Sequence, residues 1–254
     1  GAREGCGRDG VIYLFDTVVC LRALAAFFST FPAAPESREH GPARTLSLTL
    51  ADAARTLAER RAACTPQAKG DGKGVERWSS LFNVHLIKAL SHLSPWPGPW
   101  GVLSDELMSR WYSEGRFWSA PRGDRVYLHT HCYALEGVLV RPDMPREVVQ
   151  QATGFLAEAQ RSSGGIPSWW PAGEEAAVLA TDATAQAVRL WLLTDRERFQ
   201  DNIRKGTEFM LRMLGPGGGL RYAPGLAHEN SWTTIFAVQA LIWQDVQPDP
   251  AWLI

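Results

Sequence analysis

An excess of charge of either sign is missing from this chain. Across 254 residues, 26 Lys and Arg stand against 27 Asp and Glu, for a formal net charge of −1. A nucleic-acid binder carries a basic face or stripe, and nothing in this balance resembles one. Long apolar runs are missing as well. None approaches the roughly 20 residues that cross a bilayer as a helix, so no membrane span is expected. No signal-peptide pattern is seen, although the sequence opens at Gly1 without Met, which leaves room for helices before it. Cysteine is scarce. Cys6, Cys20, Cys64 and Cys132 are scattered, with no CxxC pair and no zinc spacing, so neither a metal site nor a cofactor is expected. Cys20 and Cys132 lie in apolar segments and read as buried thiols, which fits a reduced, cytoplasmic setting. Strand-like alternation is also absent: apolar residues recur at three and four, between turns rich in Gly and Pro.

The residues that are present describe helices. With 45% hydrophobic residues and 11 Trp, the chain can bury a sizeable core as a single domain over 1–254. Periodicity predicts helices near 11–29, 47–66, 76–93, 102–114, 128–141, 146–161, 181–195, 198–214 and 230–245. They are of two kinds. Those near 47, 146 and 198 are charged on one face and read as outer helices. Those near 11, 76, 128, 181 and 230 are apolar, with polar residues at a shared place: VVCLRAL, VHLIKAL, CYALEGV, QAVRLWL and FAVQALI. Single polar groups in such runs should face something common and central, which is the pattern of helices lining a lumen.

Aligning these inner helices predicts three layers, because residues three and seven earlier share a helix face. The deep layer is Arg22, Lys88, Glu136, Arg189 and Gln239. Above it lie Val19, His85, Tyr133, Gln186 and Phe236, and at the mouth Phe15, Leu81, His129, Asp182 and Trp232. His131 and Asp16 stand one or two residues off this stripe. Inner helices that all run the same way would converge their positive N-terminal ends, and three deep cations face one carboxylate, so an anionic or strongly polar small molecule is the expected ligand. The alternative for the deep layer is a structural salt-bridge network built on Glu136, since buried ions are normally paired.

A repeat runs beneath the helices. Gln151-Ala152 leads to Phe155-Leu156, Gln160 and Gly164-Gly165-Ile166. Lys205-Gly206 leads, with the same spacing, to Phe209-Met210, Leu214 and Gly218-Gly219-Leu220, and a fainter third copy ends at Gly115-Arg116-Phe117. The pattern resembles the QW repeat of squalene-cyclase-like and prenyltransferase-like proteins. The first copy lacks the opening basic residue and has Ile166 in place of Trp; the second has Leu214 for Gln and Leu220 for Trp. The resemblance covers about the C-terminal half and implies an all-α fold, an α/α toroid of helical hairpins. Five inner and four outer helices make an incomplete ring if six pairs are required, so either the ring is open or further helices lie outside this sequence.

The densest chemistry is the run Tyr127-Leu128-His129-Thr130-His131-Cys132-Tyr133-Ala134-Leu135-Glu136-Gly137, which holds two His, a Tyr and a carboxylate suited to proton transfer near neutral pH. Its His131, Leu135 and Glu136 are similar to the His-x-His-x-Leu-Glu-Ala run of the N-acylglucosamine and cellobiose epimerase superfamily, with Tyr133 for the second His and Gly137 for Ala. That resemblance implies an α/α barrel acting on a sugar. The later inner helices carry Asp182 and Gln186, then Trp232 and Phe236, and no further His.

The expected activity is acid/base proton transfer on a sugar or other small polar substrate, of epimerase, isomerase or lyase type. His131, His129, Tyr133 and Asp182 are the candidate catalytic residues, and Arg22, Lys88, Glu136, Arg189, Gln239, His85, Gln186, Trp169 and Trp232 the candidate substrate-binding ones. Three alternatives stand beside it. A glycoside hydrolase needs two carboxylates astride the bond, for which Asp182 and Glu136 are the lumen pair. A terpenoid-type cyclase fits the repeat and the Trp content, but no DxDD acid occurs. A noncatalytic binding scaffold would have its lumen charges mutually paired.

Overall fold

The computed structural model describes Lys88, residues 98–119, 125–171 and 178–250, and Leu253. Predicted helices 11–29 and 47–66, with Arg22, lie outside the described residues. So does 76–93, with His85, except for Lys88, which is helical and buried.

The described helices are α1 (Gly98–Trp111), α2 (Leu128–Leu139), α3 (Arg146–Ala159), α4 (Thr181–Thr194), α5 (Gln200–Arg212) and α6 (Ser231–Asp245). Between them run two-residue strands: β1 (Tyr112–Ser113), β2 (Arg116–Phe117), β3 (Val126–Tyr127), β4 (Ile166–Pro167), β5 (Trp169–Trp170), β6 (Leu179–Ala180), β7 (Leu220–Arg221) and β8 (Glu229–Asn230). They form four antiparallel pairs: β1–β2, β3–β5, β4–β6 and β7–β8. These strands correct the strand-free expectation. Two residues are too few to print an alternating pattern, so periodicity has nothing to register. The same hairpin explains why α1 ends at Trp111 rather than near 114: Tyr112 and Ser113 pair with Phe117 and Arg116.

Three of the strands set where inner helices begin. β3 leads directly into α2, β6 into α4 and β8 into α6. Asn230 caps α6, its side chain accepting the Thr233 N–H at 2.9 Å. α4 is the centre of the fold, packing on α2, α3, α5 and α6. Every residue from Thr181 to Leu192 is buried, which is why this segment is apolar all round apart from a few polar groups. α3 and α5 are one-sided by contrast. α3 buries Ala152, Phe155, Leu156 and Ala159, and α5 buries Ile203, Gly206, Phe209 and Met210, both at helical spacing, so these are the outer helices.

The repeat has a physical meaning. Gln160 donates from Nε2 to the carbonyls of Gly164 and Asn202, both at 3.0 Å, and accepts from Asn202 Nδ2 at 2.7 Å. One side chain thus ties the end of α3 to its own glycine turn and to α5. Gly164 sits at φ +90° against the Lys205 carbonyl, a place no side chain fits. Gly206 lets α5 approach α4, since a Cβ there would lie 2.7 Å from Val188 Cγ2. In the second copy Leu214 stands where Gln160 stands in the first, half exposed and bridged to Leu220. No outer helix beyond α5 is present among the described residues for a Gln there to reach. On α6, Val238 holds the register position of Val188, and it is exposed with Ile235 and Ile242. The loop before β7 is held instead by Glu229, whose carboxylate accepts the N–H of Gly217 at 2.7 Å and of Gly219 at 2.9 Å.

Candidate active site

The inner helices run in one direction, as their contacts show. His129 in the first turn of α2 meets Asp182 in the first turn of α4, Nδ1 to Oδ2 at 3.2 Å. Two turns further in, Glu136 of α2 meets Arg189 of α4, and Arg189 donates to Gln239 of α6. The three layers read from the sequence are therefore present in α2, α4 and α6, and their N-terminal ends share one side.

The described residues of the deep layer form an ion network. Glu136 accepts from Arg189 and lies 2.7 Å from Lys88 Nζ, and all three side chains are buried. Burial pushes the Glu136 carboxyl up, but the guanidinium of Arg189 and the ammonium of Lys88 outweigh it and hold the group below its ordinary value. Lys88 also sits 4.5 Å over the Tyr133 ring, and Arg189 sits 4.5 Å over that of Phe236. These cations are engaged with protein groups. They form a floor beneath the site.

Above this floor the groups change character. Tyr133 packs edge-on against His129, with ring centroids 4.7 Å apart, and burial raises its hydroxyl well above the usual range. Gln186 is fully buried, its Nε2 3.5 Å from Glu136 Oε1. Asp182 is 7% exposed and His129 is partly buried, so the pair stands between floor and solvent. Burial raises the Asp182 carboxyl, which His129 and the Ala183 N–H (2.7 Å from Oδ1) partly offset. Burial lowers the His129 imidazole, against the pull of Asp182 and Glu136. Burial thus acts on both groups against their charged forms, and their mutual attraction acts for them.

The rim is aromatic. Tyr127 and Trp169 face each other across the β3–β5 pair, with centroids 4.9 Å apart, and the Arg125 guanidinium lies 4.7 Å over Trp169. Burial, and behind it Tyr222, raises the Tyr127 hydroxyl above its ordinary value. Trp232 is 54% exposed and lies 5.9 Å from Phe236. His228, on the approach to β8, is exposed.

His131 is placed elsewhere. It is wholly buried between β2 and α3, where the Phe117 N–H donates to Nδ1 at 3.2 Å and Nε2 lies 3.1 Å from the Ala152 carbonyl. Since Nδ1 accepts, the ring's proton is on Nε2 and donates to Ala152, which fixes a neutral tautomer. Burial takes its pKa down to about 4. Both nitrogens serve the backbone, and the ring is on the opposite side of α2 from His129. Cys132 is a buried thiol. Among the described residues no cluster of three His, Cys, Asp or Glu is arranged to hold a metal ion, and no helix is long and apolar enough to cross a membrane. Tyr222 and the exposed Arg125 escaped the sequence reading, and Tyr127 opened its densest run without a role in the site, because only the β3–β5 pairing and the loop before β8 bring them beside the layers on α2 and α4.

Solved structures share this architecture. A glycosyl hydrolase family 88 protein from Bacteroides vulgatus superposes with a TM-score of 0.63 at 12% identity, covering 94% of this chain and 76% of that one. A polysaccharide lyase superposes with a TM-score of 0.61 at 14% identity, covering 92% and 75%. At such identities the likeness is one of fold. No protein-family model matches the sequence, and no curated protein sequence matches it.

Proposed function

We propose that this chain is a carbohydrate-acting enzyme that moves a proton through Asp182, with His129 behind it. The observation that carries the reading is the Asp182–His129 contact: a mostly buried carboxyl and an imidazole at 3.2 Å, at the end of the lumen helices and beside an aromatic rim. A mostly buried carboxyl whose pKa burial raises is suited to acid/base work, with the imidazole beside it as a second proton carrier. Tyr127, Trp169 and Trp232 offer flat apolar faces on which a sugar ring stacks, and the N-terminal ends of α2, α4 and α6 favour negative charge beside it. The helix-rich fold shared with a glycosyl hydrolase and a polysaccharide lyase supports a sugar substrate.

The reaction favoured is elimination from an acidic sugar. A base removes the proton next to the carboxylate, the glycosidic C–O bond breaks to form a double bond, and the departing oxygen takes a proton. One member of the Asp182–His129 pair would take the carbon-bound proton while the other gives a proton to the departing oxygen, so the pair's proton count is unchanged over the reaction. Glu136 is not available as the second carboxylate of a hydrolase, since it is wholly buried and held by Lys88 and Arg189. The test is to incubate the protein with uronate-containing and neutral polysaccharides and follow ultraviolet absorbance of a new conjugated double bond together with reducing ends. Elimination gives both signals with uronates, and hydrolysis gives reducing ends alone. Asp182→Asn should lower kcat by about 100-fold or more, the usual range for a general acid/base. Full activity in that variant would refute the assignment.

A further inference from the structure

We infer that the outward face of α6 is a self-association surface, on which a second copy of this chain lays its own α6 across a two-fold axis near Val238. The inference rests on packing alone and is independent of the proposed chemistry.

α6 carries no charged side chain from Ser231 to Gln244. One side of it, with Thr233, Ala237, Ala240 and Trp243, is buried. The other side is equally apolar but bare. Trp232, Ile235, Val238, Ile242 and Val246 recur at three and four, and each is between 42% and 54% exposed. The outer helix α5 meets water differently: its open face carries Asp201, Arg204 and Glu208, joined as exposed ion pairs. A helix that is apolar all round belongs in a core or an interface.

The internal repeat defines the kind of element this face takes. Thr184 Oγ1 of α4 accepts the Ile166 N–H and donates to the Ala180 carbonyl, and Thr234 Oγ1 of α6 does the same with Leu220 and Asn230. α4 and α6 are thus built alike, with Val188 and Val238 equivalent. On α4 this position is covered by α5, which runs antiparallel to it. Phe199, at the start of α5, stacks on Trp191, and Gly206 further along meets Val188 and Thr184. On α6 no helix among the described residues covers Val238. The seat fits an antiparallel helix, and a two-fold axis across α6 supplies one.

The stripe suits its own image. Counted from Val238, Ile235 stands three residues before and Ile242 four after, while Trp232 stands six before and Val246 eight after. Rotation about an axis beside Val238 sets Ile235 against Ile242 of the other copy, and Ile242 against its Ile235. Such reciprocity defines an isologous interface. Leu211 and Leu214 of α5, both more than half exposed, extend the patch. Gln244 of α6 donates to Thr207 Oγ1 at 3.2 Å, one turn before Leu211, so the two helices lie side by side. These seven side chains amount to roughly 500 Å2 of apolar surface, near the largest patch a monomer leaves bare. A standard interface takes about 800 Å2 from each partner, somewhat over half of it apolar, which is the share this patch supplies. Trp232 lies at the edge, where its ring also meets Phe236 at the mouth.

Sedimentation equilibrium of the intact chain is expected to give a mass near twice 28.1 kDa. Ile242→Glu puts a charge inside the apolar contact and should weaken association by about 30-fold or more. Val178→Glu, at an equally exposed apolar side chain off this face, should leave association unchanged. Val238→Cys reads the position of the axis. Two thiols beside a two-fold axis come within disulfide reach, so mild oxidation should give a covalent dimer beyond what the wild type gives. That result stands even if Ile242→Glu folds poorly. A wild type that sediments at 28.1 kDa at about 0.1 mM overturns the inference, whatever else binds the face. So does a dimer that survives Ile242→Glu and gains no cross-link from Val238→Cys, because it then associates through another surface.

Discussion

Two histidines separated by one residue carry opposite assignments. His129 and His131 are about 200° apart around α2, so one faces the lumen and the other faces β2 and α3. The sequence reading placed His129 on the stripe with Tyr133 and Glu136, and His131 just off it. What it lacked was the identity of the groups on the other face, the Phe117 N–H and the Ala152 carbonyl, which come from separate elements. The burial of His131 has a measurable cost. Its folded pKa of about 4 lies below the unfolded value of about 6.5, so the unfolded chain binds the extra proton between those limits. Stability should therefore fall as pH drops from about 6.5 to about 4 and level off below, for a total of about 3 kcal/mol. Urea midpoints measured across that range should show a shallower dependence in His131→Asn than in the wild type; equal slopes would remove His131 as the source.

At the scale of elements, contact between α4 and α5 depends on the absence of a side chain. Gly206 faces Val188, and a methyl group there needs room the helices do not have. Gly206→Ala should destabilise by about 1–3 kcal/mol, the usual cost of overpacking, less the roughly 1 kcal/mol by which Ala favours a helix. Adding Val188→Ala should give back more than the two single effects predict, and strict additivity in thermal melts would show that the helices do not meet there. This was half legible. The spacing from Lys205-Gly206 to Gly218 identified a repeat, and the charge on one face of its helix marked it as an outer one. The reason for the glycine was a property of the neighbouring helix. The short strands were illegible for the opposite reason: two paired residues leave no periodic trace, although they decide where α2, α4 and α6 start.

At the scale of the whole molecule, the ionic floor joins the inner helices. Among the described residues, Glu136 of α2 is the carboxylate paired with both Arg189 of α4 and Lys88, and Gln239 of α6 joins it through Arg189. Removing it takes the carboxylate from two buried cations. Glu136→Gln should cost about 3–5 kcal/mol, as for other buried pairs broken from one side, with loss of cooperative melting. Glu136→Gln combined with Lys88→Met and Arg189→Met should recover part of that loss, and no recovery would show that the network is not the reason. Four of the five aligned polar positions of the sequence make up this floor, and the fifth, Arg22, lies outside the described residues. The floor's meaning was not legible, because alignment shows which residues share a layer and says nothing of whether they pair with one another or with a ligand. Pairing requires distances, and those answer for Glu136, Arg189, Lys88 and Gln239 alike.

The carboxylate of Glu229 fills the hollow of the Gly215–Gly219 loop, within 2.7 Å of where a side chain at Gly217 would begin and 2.6 Å at Gly219. The consequence is historical. A larger residue at 217 or 219 would push the carboxylate off the N–H groups it holds, and a descendant that loses Glu229 is released to vary at both. Among relatives of this chain the three positions should change together.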